Sequence, residues 1–202
     1  MTTMEAAAPE TGVVSLDGAL ALVRRGHAGG FTRLVNILQP RVYRWALGIA
    51  SDPDEADEIS QEAFVMVHRN LHQYRGDAPL EGWVYGVVRR VANQRKRRRG
   101  RRARLAGSAG WAQATVTGVY TTDPGARVDR ERLAAFVNHY FSGLPPRQRE
   151  VFDLVDLQGY DPAEAAVLLN IKQGTVRANL FKARAAIRSH ILAAHPAWGD
   201  LR

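Results

Sequence analysis

Asp161-Pro162-Ala163-Glu164-Ala165-Ala166-Val167-Leu168-Leu169-Asn170-Ile171-Lys172-Gln173-Gly174-Thr175-Val176-Arg177-Ala178-Asn179-Leu180 reads as two helices joined by a tight turn. Asp161 is an N-cap residue, Pro162 suits the first helical position, and Glu164 stands three after the cap, as in a capping box. Ala166 is small where two helices cross closely, and Asn170 tolerates the left-handed backbone of a short inter-helix turn. Val176, Leu180, Ile187 and Ile191 supply the apolar stripe of the second helix. Lys172, Arg177, Lys182, Arg184 and Arg188 lie off that stripe, with no acid between residues 165 and 199. A helical hairpin with a solvated basic face would share some of these features. The complete pattern predicts a helix-turn-helix whose second helix enters the major groove of DNA.

The chain has 202 residues, 46% of them hydrophobic, enough for one large or two small packed domains. Its net charge of +8 is local: ten Arg or Lys and no acid lie between Arg89 and Arg104, leaving 18 basic and 20 acidic residues elsewhere. One concentrated basic cluster points to a polyanion at that place. The absence of cysteine excludes disulfides, cysteine-ligated zinc and thiol catalysis. Met1 to Gly12 carries Glu5 and Glu10 and no long apolar run, so it reads as a loose tail and not as a signal peptide. The uncharged stretch Leu105–Thr122 is diluted by Gly107, Ser108, Gly110, Gln113, Thr115, Thr117 and Gly118, and reads as a linker rather than a membrane span.

Two helix-rich blocks flank that linker. Phe31, Leu34, Leu38, Val42, Trp45 and Ile49 recur at helical spacing, with Pro40 expected to kink or split the helix. Asp52-Pro53 starts the next helix, whose stripe is Ile59, Ala63, Val67 and Leu71 and whose first turns are acidic. Tyr74-Arg75-Gly76-Asp77-Ala78-Pro79 is a loop by composition. A third helix bearing Trp83, Val87, Val88 and Val91 then runs into the basic cluster. The second block opens near Asp129 with the stripe Leu133, Phe136, Val137, Tyr140, Phe141 and Leu144, stopped by Pro145-Pro146. A helix from Arg147 to about Leu157, ended by Gly159, leads into the helix-turn-helix. With no convincing strand, the fold class is all-α: two small helical domains joined by a flexible linker. The expected divisions are 1–27 (tail and start of the first helix), 28–104, 105–128 (linker), 129–195 and 196–202 (tail).

Asp54-Glu55-Ala56-Asp57-Glu58-Ile59-Ser60-Gln61-Glu62-Ala63-Phe64 resembles the acidic helix in region 2 of bacterial sigma-70 family sigma factors. Tyr74 to Tyr85 is similar to the loop and Trp-x-Tyr helix start that follow it, and Leu144 to Phe152 to the opening of region 4. Gly174-Thr175-Val176-Arg177 and Ala183-Arg184 resemble that region's recognition helix and the segment after it. With only regions 2 and 4, the chain resembles the extracytoplasmic-function (ECF, group IV) subfamily, over roughly residues 28–104 and 129–192. Arg90, Gln94, Lys172-Gln173 and Ala178-Asn179 depart from the common pattern, so promoter sequence does not carry over.

The resemblance implies a cytoplasmic transcription initiation factor that binds core RNA polymerase through its β′ coiled coil and β flap. It implies polymerase contacts at Asp57, Glu58, Gln61 and Glu62. It implies capture of the −10 element by the loop of Tyr74 and Arg75, with Arg89, Asn93, Arg95, Lys96, Arg97 and Arg98 on the strand. Melting requires an unstacked base to be held beside a positive track, which such a loop and helix supply. Trp83 sits on the apolar stripe and reads as core; Tyr74 is open between stacking on a base and packing in its loop. Lys172, Gln173, Thr175, Arg177, Ala178, Asn179, Lys182 and Arg184 fall to the −35 element, where Arg–guanine and Asn–adenine pairings are natural. Family habit adds an anti-sigma factor.

A tether of 24 residues from Leu105 to Val128 reaches about 80 Å, beyond two turns of B-DNA. Trp111 and Tyr120 stand out in it as sites that pack on a domain or on polymerase. No cofactor, metal or enzymatic role is expected: the six His show no HExxH-like pairing, no phosphate-binding glycine loop occurs, and His68 and His72 lack a third ligand. The competing reading is a free-standing helix-turn-helix regulator that binds duplex DNA without polymerase.

Overall fold

Ser15, Asp52 and Asp161 each start a helix by the same device, a short polar side chain accepting a hydrogen bond from a backbone N–H of the first turn. The computed structural model describes residues 15–50, 52–105, 141 and 143–194. The remaining tail positions, the linker with Trp111 and Tyr120, and the stripe Leu133, Phe136, Val137 and Tyr140 lie outside the described residues. Among the described residues every regular element is helical. Residues 1–38 form one compact unit and residues 39–202 another.

In the first unit, α1 spans Leu16–Arg24 as a helix of its own. This corrects the expectation of a tail running into one long helix. Gly26 (φ 72°) and Gly29 (φ 80°) turn the chain between α1 and α2. At Gly30 a Cβ would lie 2.9 Å from the backbone nitrogen of Val23, so only glycine lets the start of α2 approach α1 this closely.

Helix α2 spans Gly30–Leu47 and runs through Pro40 without a break. Of the two expected outcomes, a kink or a split, the split is therefore not met. Pro40 and Asn36 are both exposed, so the carbonyl that loses its intrahelical partner to proline belongs to the solvent side of the helix, where such a loss costs least.

In the second unit, α3 (Pro53–Asn70) and α4 (Leu80–Leu105) pack on each other. Ala56, Ile59, Ala63 and Val67 of α3 are buried, as are Val84, Val88 and Val91 of α4, which matches the apolar periodicity. Trp45 near the end of α2 is 1% exposed and meets Tyr85 of α4 edge-on at 5.3 Å.

The second block begins with α5 (Pro146–Phe152), which passes into a five-residue π-helical turn, Asp153–Leu157. The expected helix to Leu157 thus has the right extent but widens midway. The π turn rotates Asp153 inward, where it is buried. Gly159 (φ 78°) ends it, as read from the sequence. Helices α6 (Pro162–Leu169) and α7 (Gln173–Ala194) form the helix-turn-helix, and α5 and α6 both pack on α7. The capping box is complete: Glu164 N–H donates to Asp161 (3.1 Å) and Asp161 N–H donates to Glu164 (2.9 Å). Asn170 is left-handed at φ 51°, ψ 51°, as its place in the turn demanded. Val176, Leu180 and Ala183 are buried, while Ile187 and Ile191 are partly so.

Candidate polymerase and nucleic-acid interfaces

On α3, Asp57, Glu58 and Gln61 are exposed and Glu62 is half-buried. Arg95 of α4 pairs with both Glu58 and Glu62, and Arg99 pairs with Glu55. As the acid position rises from 55 to 62, the partner falls from 99 to 95, so the two helices run antiparallel. The hydrogen bond to Glu55 raises the Arg99 pKa above its ordinary value. Arg95, expected on the DNA strand, is thus turned toward the acids expected to meet polymerase. The acids at 55, 58 and 62 and the arginines at 95 and 99 show matching helical spacing, a signal that the sequence does carry. Val65, one turn beyond Gln61, is 50% exposed and extends this acidic face with an apolar end.

The basic cluster divides by helical angle. Arg90, Asn93, Gln94, Arg97, Arg101 and Arg104 share one face of α4, flanked by Lys96 and Arg98, and all are exposed. Arg95 and Arg99 project to the opposite side. Arg89 lies on a third line with Tyr85 and Gly82, and its Nε sits 2.6 Å from Glu150 of α5. Of the ten basic residues, three are therefore committed to carboxylates.

Tyr74 is half-buried; its hydroxyl donates to the Ala78 carbonyl (2.6 Å) and its ring tilts against Trp83 at 5.6 Å. The ring braces the loop, and Arg75 beside it is exposed. Trp83 is half-buried, short of the full burial its stripe position implied.

At the start of α7, Lys172, Gln173, Thr175, Arg177 and Ala178 are exposed. Asn179 is half-buried and its amide donates to the Thr175 carbonyl at 2.8 Å. Arg184 reaches back to Asp156 through two hydrogen bonds, 2.6 and 3.0 Å, which raise its pKa. That fork ties α7 to the π turn, a structural task that the basic pattern alone does not reveal. Phe181, 75% exposed and one turn beyond Arg177, is a further candidate that the charge pattern passes over. Among the described residues no group of three metal-capable side chains converges, and no helix is long and apolar enough to cross a membrane.

Residues 34–102 match Sigma-70 region 2 and residues 138–187 match Sigma-70, region 4. The chain is 28% identical over 169 residues to RNA polymerase sigma-H factor of Pseudomonas aeruginosa, covering 82% of this chain and 88% of that one. It is 26% identical over 176 residues to the ECF RNA polymerase sigma factor SigW of Bacillus subtilis, covering 84% and 92%. Its fold is similar to that of the sigma factor RpoE of Bartonella quintana, solved in complex with the anti-sigma factor NepR. The TM-score is 0.61 at 18% identity, over 80% of this chain and 96% of that one. Carrying both region 2 and region 4 in the family's order, the chain belongs to the sigma-70 family of RNA polymerase sigma factors, in the extracytoplasmic-function subfamily.

Proposed function

We propose that the chain directs core RNA polymerase to promoters by dividing the task between two faces of region 2 and the recognition helix of region 4. The carrying observation is that the acidic face of α3 and the basic face of α4 are both exposed yet point apart, held so by the Arg95 and Arg99 ion pairs. One domain can then engage a protein and a nucleic acid at once. Asp57, Glu58, Gln61 and Glu62, with Val65 at the end of their face, meet the β′ coiled coil, and region 4 engages the β flap. Acidic side chains suit a basic protein partner and oppose DNA, so charge alone separates the two faces.

Arg75, Asn93, Lys96, Arg97 and Arg98 carry the −10 strand, and Arg89 joins them when released from Glu150. Arg95 acts as a positioning residue, and Tyr74 as the brace of the capture loop. Gln173, Thr175, Arg177 and Ala178 read the −35 element, with Lys172 and Lys182 on flanking phosphates and Phe181 offering an apolar contact to a thymine methyl. Asn179 and Arg184 reach DNA only by giving up the Thr175 and Asp156 contacts. Residues 28–104 and 129–195 are the working units and 105–128 the tether. The role is one of binding, in the cytoplasm, without enzymatic activity, and an anti-sigma factor fits as its regulator.

Mixing the full chain with core polymerase and assaying open complexes on a promoter library tests this reading. Tight binding to core, with specific initiation only in the complex, is expected. Specific duplex binding by the free chain without affinity for core would make it a free-standing regulator instead.

A further inference from the structure

Regions 2 and 4 meet along a seam where α4 packs on α6 and polar groups of the two blocks pair with each other. Glu150 of α5 accepts from the Tyr85 hydroxyl (3.0 Å), Arg89 Nε (2.6 Å) and Arg147 (2.8 Å). Trp45 Nε1 donates to the Tyr160 hydroxyl at 3.1 Å, and the Gln158 amide donates to the Arg44 carbonyl at 3.3 Å. Two glycines admit the other block: a Cβ at Gly48 would overlap the Asp153 carboxylate, and one at Gly82 would lie 3.0 Å from the Val167 carbonyl. A tether reaching about 80 Å does not force this contact, so the seam itself makes it.

The seam also holds groups that a permanent core would not keep. Arg44 Nε and Gln158 Oε1 are buried without a hydrogen-bond partner. The carboxyl of Asp153 is buried with Gln158 as its donor, and among the described residues no cation stands within ion-pair distance of it. Such groups regain water when the blocks separate, which lowers the cost of opening.

We propose that this seam is an internal latch in which Glu150 occupies Arg89 in place of a DNA phosphate, holding the free chain closed until polymerase or the −10 strand displaces region 4. The proposal rests on the assignment of Arg89 to the −10 strand. A carboxylate and a phosphate offer the same oxygen acceptors to a guanidinium, so the two compete for one donor. Because Tyr85 shares the same acceptor, release of Glu150 frees two neighbouring α4 side chains together. Asp153 seated over Gly48, just past the end of α2, forms the second point of closure, apart from the contact on α4.

The lack of cysteine makes a direct test clean: Gln39→Cys and Ser189→Cys place donor and acceptor dyes on exposed positions of the two blocks of the full chain. Wild type is expected to show one short distance, lengthened by a short single-stranded oligothymidylate. Glu150→Gln and Gly48→Val, which break the seam from opposite ends, are each expected to lengthen it without DNA. Each should also tighten oligothymidylate binding by about three-fold or more, the scale of a released charge pair. Circular dichroism checks that both variants keep their helices. Distances unchanged by both substitutions, or a wild-type distance already that of freely tethered domains, overturn the latch. Failure of wild type to bind core polymerase sinks the sigma reading instead and leaves the distance result intact.

Discussion

Asp153 shows how one buried side chain makes the protein sensitive to pH. Burial, and secondarily the nearby Glu150 charge, push its pKa from 3.8 up to about 7 against the opposing hydrogen bond from Gln158. The groups that act on it are Gln158, its hydrogen-bond donor, Glu150 on α5 and Tyr85 on α4; burial likewise raises Tyr85 well above its ordinary value. Because packing raises the Asp153 pKa, the packed state holds the proton more tightly than the unpacked state. Its contribution is complete below about pH 4, declines as pH rises toward 7, and is lost above that. Asp153→Asn, which keeps the neutral shape, is expected to stabilise the protein at about pH 8 by roughly 1–3 kcal/mol, less than the ~4 kcal/mol of the full shift. Thermal unfolding at about pH 4 and pH 8 checks this, with near-equal stability of the two proteins expected at the lower value. A wild type as stable at pH 8 as its variant would show that Asp153 finds a cation in solution. At the same scale Asp161 and Asn170 were legible in the sequence, since caps and left-handed turns are local events governed by neighbouring residues. The burial of Asp153 was not, because it depends on Gly48, more than a hundred residues away.

Among the elements, α3 and α4 divide charge in a way that decides which substitutions are informative. Reversing Glu58 or Glu62 also breaks an Arg95 pair, so a loss of polymerase affinity there would mix docking with positioning. Asp57 is exposed on the same helix and is the better probe. Asp57→Lys is expected to weaken core binding by about ten-fold, or ~1.4 kcal/mol, while surface substitution leaves stability within ~0.5 kcal/mol. Titration of labelled chain with core polymerase measures it; an unchanged affinity would move the docking face elsewhere. On α7, Arg177→Ala is expected to change −35 preference by ~1–3 kcal/mol at one base, read by competition among promoter variants bound to holoenzyme. Equal loss on every sequence would make Arg177 a phosphate contact. The apolar stripes of these helices were plain in the sequence. What the stripes did not report was which polar residues on the flanks pair with each other, because that follows from the antiparallel packing of α3 on α4. Arg95 is the clearest case: it belongs to the basic run, yet it serves the acidic helix.

For the whole molecule, charge concentration sets affinity and tertiary packing sets availability. Lys96, Arg97 and Arg98 are exposed, so their joint replacement by Ala is expected to flatten the salt dependence of holoenzyme on single-stranded −10 DNA, by ~0.7 for each phosphate no longer neutralised. Promoter choice should be unchanged, since such groups position the strand without specifying its sequence. A shift in sequence preference would place one of them on a base edge. Sequence alone determined the all-helical class, the two blocks, the helix-turn-helix with its cap and turn, and the acidic and basic segments. All of these rest on periodicity, capping and charge within a few residues. Only the tertiary structure decided that α1 is a separate helix, that α2 continues through Pro40, and that Arg184 clamps Asp156. It alone decided that Arg89 is held by Glu150 and that Asp153 lies against Gly48. Those outcomes depend on which groups packing brings together across long stretches of chain, and on which of them it removes from water.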